Sequence, residues 1–349
     1  MKARRAGGEG RLAPGLIFPI LSVLVAAAVI AAVGIGAVSV PPATLLRAAL
    51  KWLGLPVGQI PTKDVLIVLY LRMPRILSAL LVGAALSACG AVMQGLFRNP
   101  MASPEILGIS AGGGLGAVIA ISAGLSLKSI LSLPLLTVTG ALAAAALIYG
   151  ISSTRGTTSL LYIVIAGMAI SSLFNGITSA LLLFSKEHEV SQFIFWTMGG
   201  LDGRTWQHVL YSAPVLVPGI VILCFFSREL NVFSFGEESA RALGMGVEST
   251  KRILLAVSAV MTGAAIAVSG PIGFVGLLVP HLLRLIVGPD HRLLIPASAL
   301  GGGFFLVVCD MIGRSIAPPF EIRAGIITAI LGSPYLLFLI LRSQKKAAA

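Results

Sequence analysis

Charge is scarce in this sequence. Only 11% of its 349 residues are Asp, Glu, Lys or Arg, under half of the roughly 25% usual in soluble domains, which excludes a water-soluble globule. Cysteine is scarcer still. Cys89, Cys224 and Cys309 are far apart, lack C-x-x-C spacing and each lie in an apolar run, so neither a disulfide framework nor a thiolate metal site is indicated. No G-x-x-x-x-G-K-[ST] occurs and no G-x-G-x-x-G follows a strand. The chain therefore holds no nucleotide by those means. H-E-x-x-H is absent and no Ser/His/Asp set is brought together, so no enzyme, metal or cofactor is expected on this chain. The formal charge of +12 suggests nucleic acid, but no segment outside the apolar runs offers a large enough basic face. The Lys and Arg residues read instead as topology signals and lipid headgroup contacts.

What is present is apolar sequence, 57% of residues, with a mean hydropathy of +0.99. It comes in runs of about 20, enough to cross a hydrocarbon core about 30 Å thick. Backbone groups in hydrocarbon must be paired internally, which makes such runs helices. The fold class is all-α, a polytopic membrane protein in a single domain over 1–349. Ten spans are expected, near 16–40, 74–97, 105–124, 130–150, 159–184, 207–227, 252–270, 272–288, 292–314 and 323–342. The basic start, Met1 to Arg11, resembles a signal peptide, but its apolar run is about twice the length of a signal core. It reads as an uncleaved first helix behind a cytoplasmic tail, 1–15. A span through Val65 to Phe97 would be too long and would hold Arg72, Pro74 and Arg75, so 41–73 is expected outside, with a short surface helix.

With both termini inside, 15 Lys and Arg lie on the inner side and 10 on the outer, as the positive-inside rule prefers. Trp52, Trp196 and Trp206 then fall outside, as interfacial anchors. Small residues recur at four-residue spacing, Gly83, Ser87, Ala91 and Gly95, then Gly108, Gly112 and Gly116, which lets helix backbones approach closely.

Polar residues within the spans are few: Asp310, His281, Gln94 and Asn175. Asp310 is the one acid well inside an apolar run, with Arg314 one turn on to pair with it. At 98–105, R-N-P-M-A-S-P-E, Pro100 stops one helix, while Ser103, Pro104 and Glu105 match the N-cap, N1 proline and first-turn acid of the next. The segment 228–251 has about 24 residues where a connector needs only a few. Its mixed charge, helical pattern from Glu237 to Leu243 and glycine stop at Gly244 mark a docking surface for a soluble partner.

The blocks L-R-M-P-R (71–75), Q-G-L-F-R-N-P-M-A-S-P-E-I-L-G (94–108), W-T-M-G-G (196–200), G-E-E-S-A-R-A-L-G (236–244), S-G-P-I-G-F-V-G-L-L-V-P-H-L-L-R (269–284) and Asp310-x-x-x-Arg314 resemble the ATP-binding-cassette importer permeases for iron chelates, haem and cobalamin, the FecCD type. The resemblance implies ten helices in the bacterial plasma membrane, paired with a second copy around a central path. It also implies two ATPase chains inside, which carry the ATP and Mg, and a binding protein outside. Glu237, Arg241 and Gly244 would then couple the ATPase. Arg72, Arg75 and Arg314 would receive acidic residues of the binding protein, and Arg323, Glu321, Asp310 and Gln94 would border the path. One block departs from the family: E-I-R-A-G (321–325) has Arg323 where proline is usual. A permanent charge there would attract anionic cargo, unless it pairs with Glu321 or snorkels to headgroups. An iron(III) chelate or haem ranks first as cargo, cobalamin second and a molybdate-like anion third. The rival reading, a stand-alone secondary transporter or pore, lacks the buried proton- or sodium-handling acids such carriers use.

Overall fold

The computed structural model describes residues 14–36, 41, 44, 47, 62–129, 131–154 and 157–347. Most of the expected N-terminal tail, the surface helix and Trp52 lie outside the described residues. The chain is an all-helical polytopic bundle. Its helices are α1 Pro14–Gly34, α2 Thr62–Leu66, a π segment Ile67–Arg72, α3 Met73–Leu96, a 3-10 turn Pro104–Leu107, α4 Ile109–Ser122, α5 Leu125–Lys128 and α6 Ser132–Ser152. A two-residue hairpin, β1 Ser153–Thr154 with β2 Thr157–Thr158, follows. Then come α7 Leu160–Leu183, α8 Glu187–Thr197, α9 Trp206–Phe225, α10 Ser227–Phe233, α11 Glu237–Ala242, α12 Val247–Ser269, α13 Val275–Val287, α14 His291–Gly313 and α15 Ala324–Ala347. Among the described residues seven helices are long and apolar enough to cross a membrane, and shorter apolar helices lie at Ile109–Ser122, Val275–Val287 and Ala324–Leu339.

The second span departs from expectation. It does not begin at Pro74 behind an external segment: the helix is continuous over Lys63–Leu96, 34 residues. At about 1.5 Å per residue it is roughly 50 Å long and outruns the hydrocarbon. Two local features make this tolerable. Pro74 sits in the first turn of α3, where its missing N–H falls in the preceding π turn, a device helices use to absorb a lost bond. Arg72 and Arg75 face protein rather than lipid.

The small-residue ladders form the tightest seams. A Cβ added at Gly83 would be driven into the Gly302 carbonyl of α14, and one at Gly302 into the Gly83 carbonyl and Ser87. Gly112 and Gly140 exclude a Cβ on each other in the same way, as the Leu136 carbonyl does at Gly116. Here backbone touches backbone, so these glycines are sites of close approach. The 98–105 turn is a 3-10 start: Ser103 is its N-cap in extended conformation with Pro104 behind it, but the Ser103 side chain makes no cap bond. Gly108 then takes φ +62° and restarts the chain as α4.

Helix α14 orders the bundle end to end. Asp290 caps one terminus and Asp310 lies near the other, a rise of roughly 30 Å apart. Every polar cluster below belongs to one of those ends or to the space between.

Candidate functional site

At the Asp310 end three arginines and two acids converge. Arg75 Nε donates to both Asp310 oxygens at 3.0 Å, its Nη2 to Oδ1 at 2.9 Å, and its Nη1 to Glu321 Oε2 at 2.7 Å. The expected Asp310–Arg314 pair is present, Nε to Oδ2 at 3.4 Å, but Arg75, 235 positions away, is the closer partner. Arg314 Nη2 donates to the Ala32 carbonyl at 2.7 Å, and Arg72 Nη1 to the carbonyls of Val33 and, at 3.0 Å, Gly34. Those carbonyls end α1, which has no basic residue in its last turn. Two guanidiniums from distant helices thus cap its negative dipole end.

This changes the part expected of Arg72, Arg75 and Arg314. Arg72 is 5% exposed and Arg314 3%, and all three donate to groups inside the chain. Asp310, expected beside the path, is the buried centre of this cluster. Gln94 is also turned inward, its Nε2 donating to the Leu277 carbonyl at 3.0 Å and its Oε1 accepting from Arg284 at 3.5 Å. Arg323 does not pair with Glu321, which Arg75 occupies. It pairs with Asp202 at 3.2 Å and lies over the Phe195 ring at 5.2 Å.

At the opposite end the 228–251 segment folds into α10 and α11. Helix α11 closes at Gly244, φ +78°, a left-handed stop that glycine takes without cost. Beneath it Lys251, 1% exposed, donates to Glu237 at 2.7 Å, to the Thr158 carbonyl at 2.9 Å and to Glu248 at 3.3 Å. The Thr158 N–H donates to Glu248 Oε2 at 2.8 Å. One ammonium thereby pins α11, α12 and the hairpin together. Arg241 lies on top, 3.3 Å from Glu248 and 3.7 Å from Glu237, with its side chain 52% exposed. Phe235 and Leu243 flank it, 75% and 70% exposed.

Between the two ends, a cavity of about 460 Å³ opens among α4, α7 and α8, lined by Glu105, Ser110, Asn175, Thr178 and Thr197 among others. Glu105 also borders a second cavity at the level of Leu86, midway along α3. Glu105 and Asn175 are both exposed. Sequence reasoning gave Glu105 only a capping part and missed Asp202, Arg204, His208 and Lys251, for which no spacing signal exists.

The sequence profile of the FecCD transport family matches residues 24–342. The hemin transport system permease HmuU of Yersinia pestis is 37% identical over 97% of this chain and 99% of its own length. The cobalamin import system permease BtuC of Halobacterium salinarum is 44% identical over 82% of this chain and 77% of its own. A solved structure described as an inward-facing conformation of a metal-chelate type ABC transporter superposes with a TM-score of 0.83 at 31% identity, over 95% of this chain and all of that one. The seven long apolar spans, the continuous match and the superposition agree: this chain belongs to the FecCD transport family, as a multi-pass membrane permease of an ABC importer, a transport subunit without an ATPase of its own.

Proposed function

We propose that this permease works as a pair of identical chains, with ten spans each and both termini in the cytoplasm, passing an iron(III) chelate or haem inward by alternating access. The observation that carries the reading is Glu105. Its carboxylate lies at the depth of Leu86, exposed on the chain's flank beside Asn175, and has no ion pair among the described residues. Polar groups at that depth are too costly to leave against lipid, so this flank faces a second copy across a watery path. The three short apolar helices complete the ten spans with irregular neighbours such as Gly270–Phe274. Non-helical backbone of that kind is tolerated where protein buries it.

The ATPase would dock on α11, where Arg241 stands between the exposed Phe235 and Leu243. Interfaces of this type anchor on apolar side chains with charge at the rim. A binding protein would deliver cargo at the Asp310 end, meeting loop backbone and Glu321 rather than the three buried arginines. The full-length match to a hemin permease supports haem or an iron chelate. Cobalamin is the second reading, favoured by the 44% identical relative. The test is ATP-dependent uptake of ferric citrate, haemin and cyanocobalamin by cells with and without this chain. Loss of ferric citrate or haemin uptake is expected on deletion. Loss of cyanocobalamin uptake alone would overturn the cargo ranking, and no loss at all would overturn the importer role.

A further inference from the structure

A cavity of about 290 Å³ opens towards the Asp310 end, bordered by α8, the Gly199–Thr205 loop and the start of α15. Its wall holds two guanidiniums, Arg204 and Arg323, against one carboxylate, Asp202, with the Gln192 amide beside them. Arg323 gives both its reaching nitrogens to Asp202, at 3.2 and 3.4 Å, which uses the one carboxylate of the wall. Arg204 is left. Its Nη1 lies 3.2 Å from His208 Nε2, while His208 Nδ1 sits 3.2 Å from the Thr205 N–H. His208 Nδ1 is also 3.0 Å from Thr205 Oγ1, and its Nε2 meets the Arg204 Nη1, so the ring gives Arg204 a hydrogen-bond partner but no counter-charge.

Three further wall groups are buried and meet no partner among the described residues: Arg204 Nε, Trp196 Nε1 and Ser126 Oγ. Trp196 is 9% exposed. Buried donors left open are costly, and two guanidiniums against one carboxylate leave one positive charge unmatched. Burial also holds the Arg204 guanidinium below its ordinary pKa, partly offset by Asp202, as expected of a cation short of counter-charge.

We propose that this cavity is a binding site for one carboxylate group, supplied by the cargo, with Arg204 as its fork and Trp196 and Ser126 as flanking donors. A planar carboxylate accepts from a guanidinium and its neighbours at once. Size points the same way: about 290 Å³ is at the lower end of small-molecule sites, so it takes a carboxylate arm rather than a whole chelate. This rests on the importer reading and narrows it to carboxylate-bearing cargo.

The test begins with binding alone, so that it stays readable whether or not the transport reading holds. The full chain in lipid nanodiscs is titrated calorimetrically with citrate, propionate and inorganic phosphate. Citrate and propionate should bind, and Arg204→Gln should weaken them at least tenfold. Arg204→Lys, which keeps the charge and loses the fork, should fall between. Absence of carboxylate binding to the parent chain, tighter binding of phosphate than of either carboxylate, or equal affinity in the parent and Arg204→Gln would each overturn the site. In the assembled importer, Arg204→Gln should raise KM for ferric citrate several-fold with kcat unchanged, and leave a neutral ferric hydroxamate unaffected. Equal loss for both cargoes, or none for either, would show that the bound carboxylate is not the cargo's.

Discussion

The two ends of the bundle are both built on buried charge, yet they do opposite things with it. At the Asp310 end, Arg75 reaches 235 residues along the chain to Asp310 and 246 to Glu321, and Arg314 reaches 282 to Ala32. The Arg75, Asp310, Glu321 and Arg314 contacts tie distant helices together. At the Lys251 end the ion pairs are local, 14 residues from Lys251 to Glu237 and 7 between Arg241 and Glu248, while Lys251 also reaches 93 residues to the Thr158 carbonyl, and the cluster turns one charged side outward. The difference is one of closure. The long-range pairs around Asp310 hold Arg72, Arg75 and Arg314 inside the chain, whereas the short-range pairs around Lys251 shape a small raised surface.

The sharpest way to break the comparison is to remove the acid at each centre. Asp310→Ala leaves Arg75 and Arg314 facing each other without their shared carboxylate, and breaking a buried ion cluster from one side costs about 3–5 kcal/mol. Glu237→Ala removes a half-exposed acid, and Lys251 keeps Glu248 and the Thr158 carbonyl, so a loss of about 1 kcal/mol or less is expected. Thermal unfolding of the two variants in the same detergent checks the ranking. Equal shifts in Tm would mean that the two clusters do the same work.

A smaller effect is expected at Gly244. Its φ of +78° costs a residue with a Cβ about 1–2 kcal/mol, more for a β-branched one. Nothing lies within 4 Å of the added Cβ, so Gly244→Val strains the backbone without a clash. The strain should fray α11 and leave the spans intact. Expected are normal membrane levels, faster hydrogen exchange over 237–244, and ATP hydrolysis that no longer follows cargo. Unchanged uptake and exchange would remove α11 from the coupling surface.

What the sequence disclosed follows the same division. The seven long spans were legible because hydropathy and length are local properties, and so was α11, whose charge pattern, helical period and glycine stop all fall within a dozen residues. The glycine seams were legible as a spacing, though not which helix each would meet. The partners that Arg72, Arg75 and Arg314 find within the chain were not. A basic residue beside a span looks the same whether it faces water or a carboxylate hundreds of residues away. The start of the second span at Thr62 was hidden for that reason too: two arginines argued against a helix that their distant partners permit. Arg323 stood out in the sequence, but its partner Asp202 lies 121 residues off, and no period connects them.

The smallest of these effects lies at the start of α14, back at the Lys251 end. Asp290 caps the helix, its Oδ1 accepting from the Arg292 N–H at 3.0 Å and from Asn231 Nδ2 at 2.6 Å. Asn231 Oδ1 in turn accepts from the His291 N–H at 2.9 Å, so α10 and α14 are joined by two short polar side chains. The Arg292 N–H holds the Asp290 carboxyl below its ordinary range, and Asn231 and Arg292's charge add to this. A depressed carboxyl pKa gives stability that is complete above the unfolded value, about 3.9, and is lost as pH falls through the lower folded value. Asp290→Ala should therefore cost about 1 kcal/mol at neutral pH, the usual worth of an N-cap, and the gap to the parent should narrow below about pH 4. Asp290→Asn caps equally well and carries no titrating group, so it should keep most of the stability while flattening that acid slope. Unfolding of the three proteins by urea across pH 3–7 separates the outcomes. An Asp290→Asn variant as weak as Asp290→Ala would show that charge, and not the cap bond, joins the two helices.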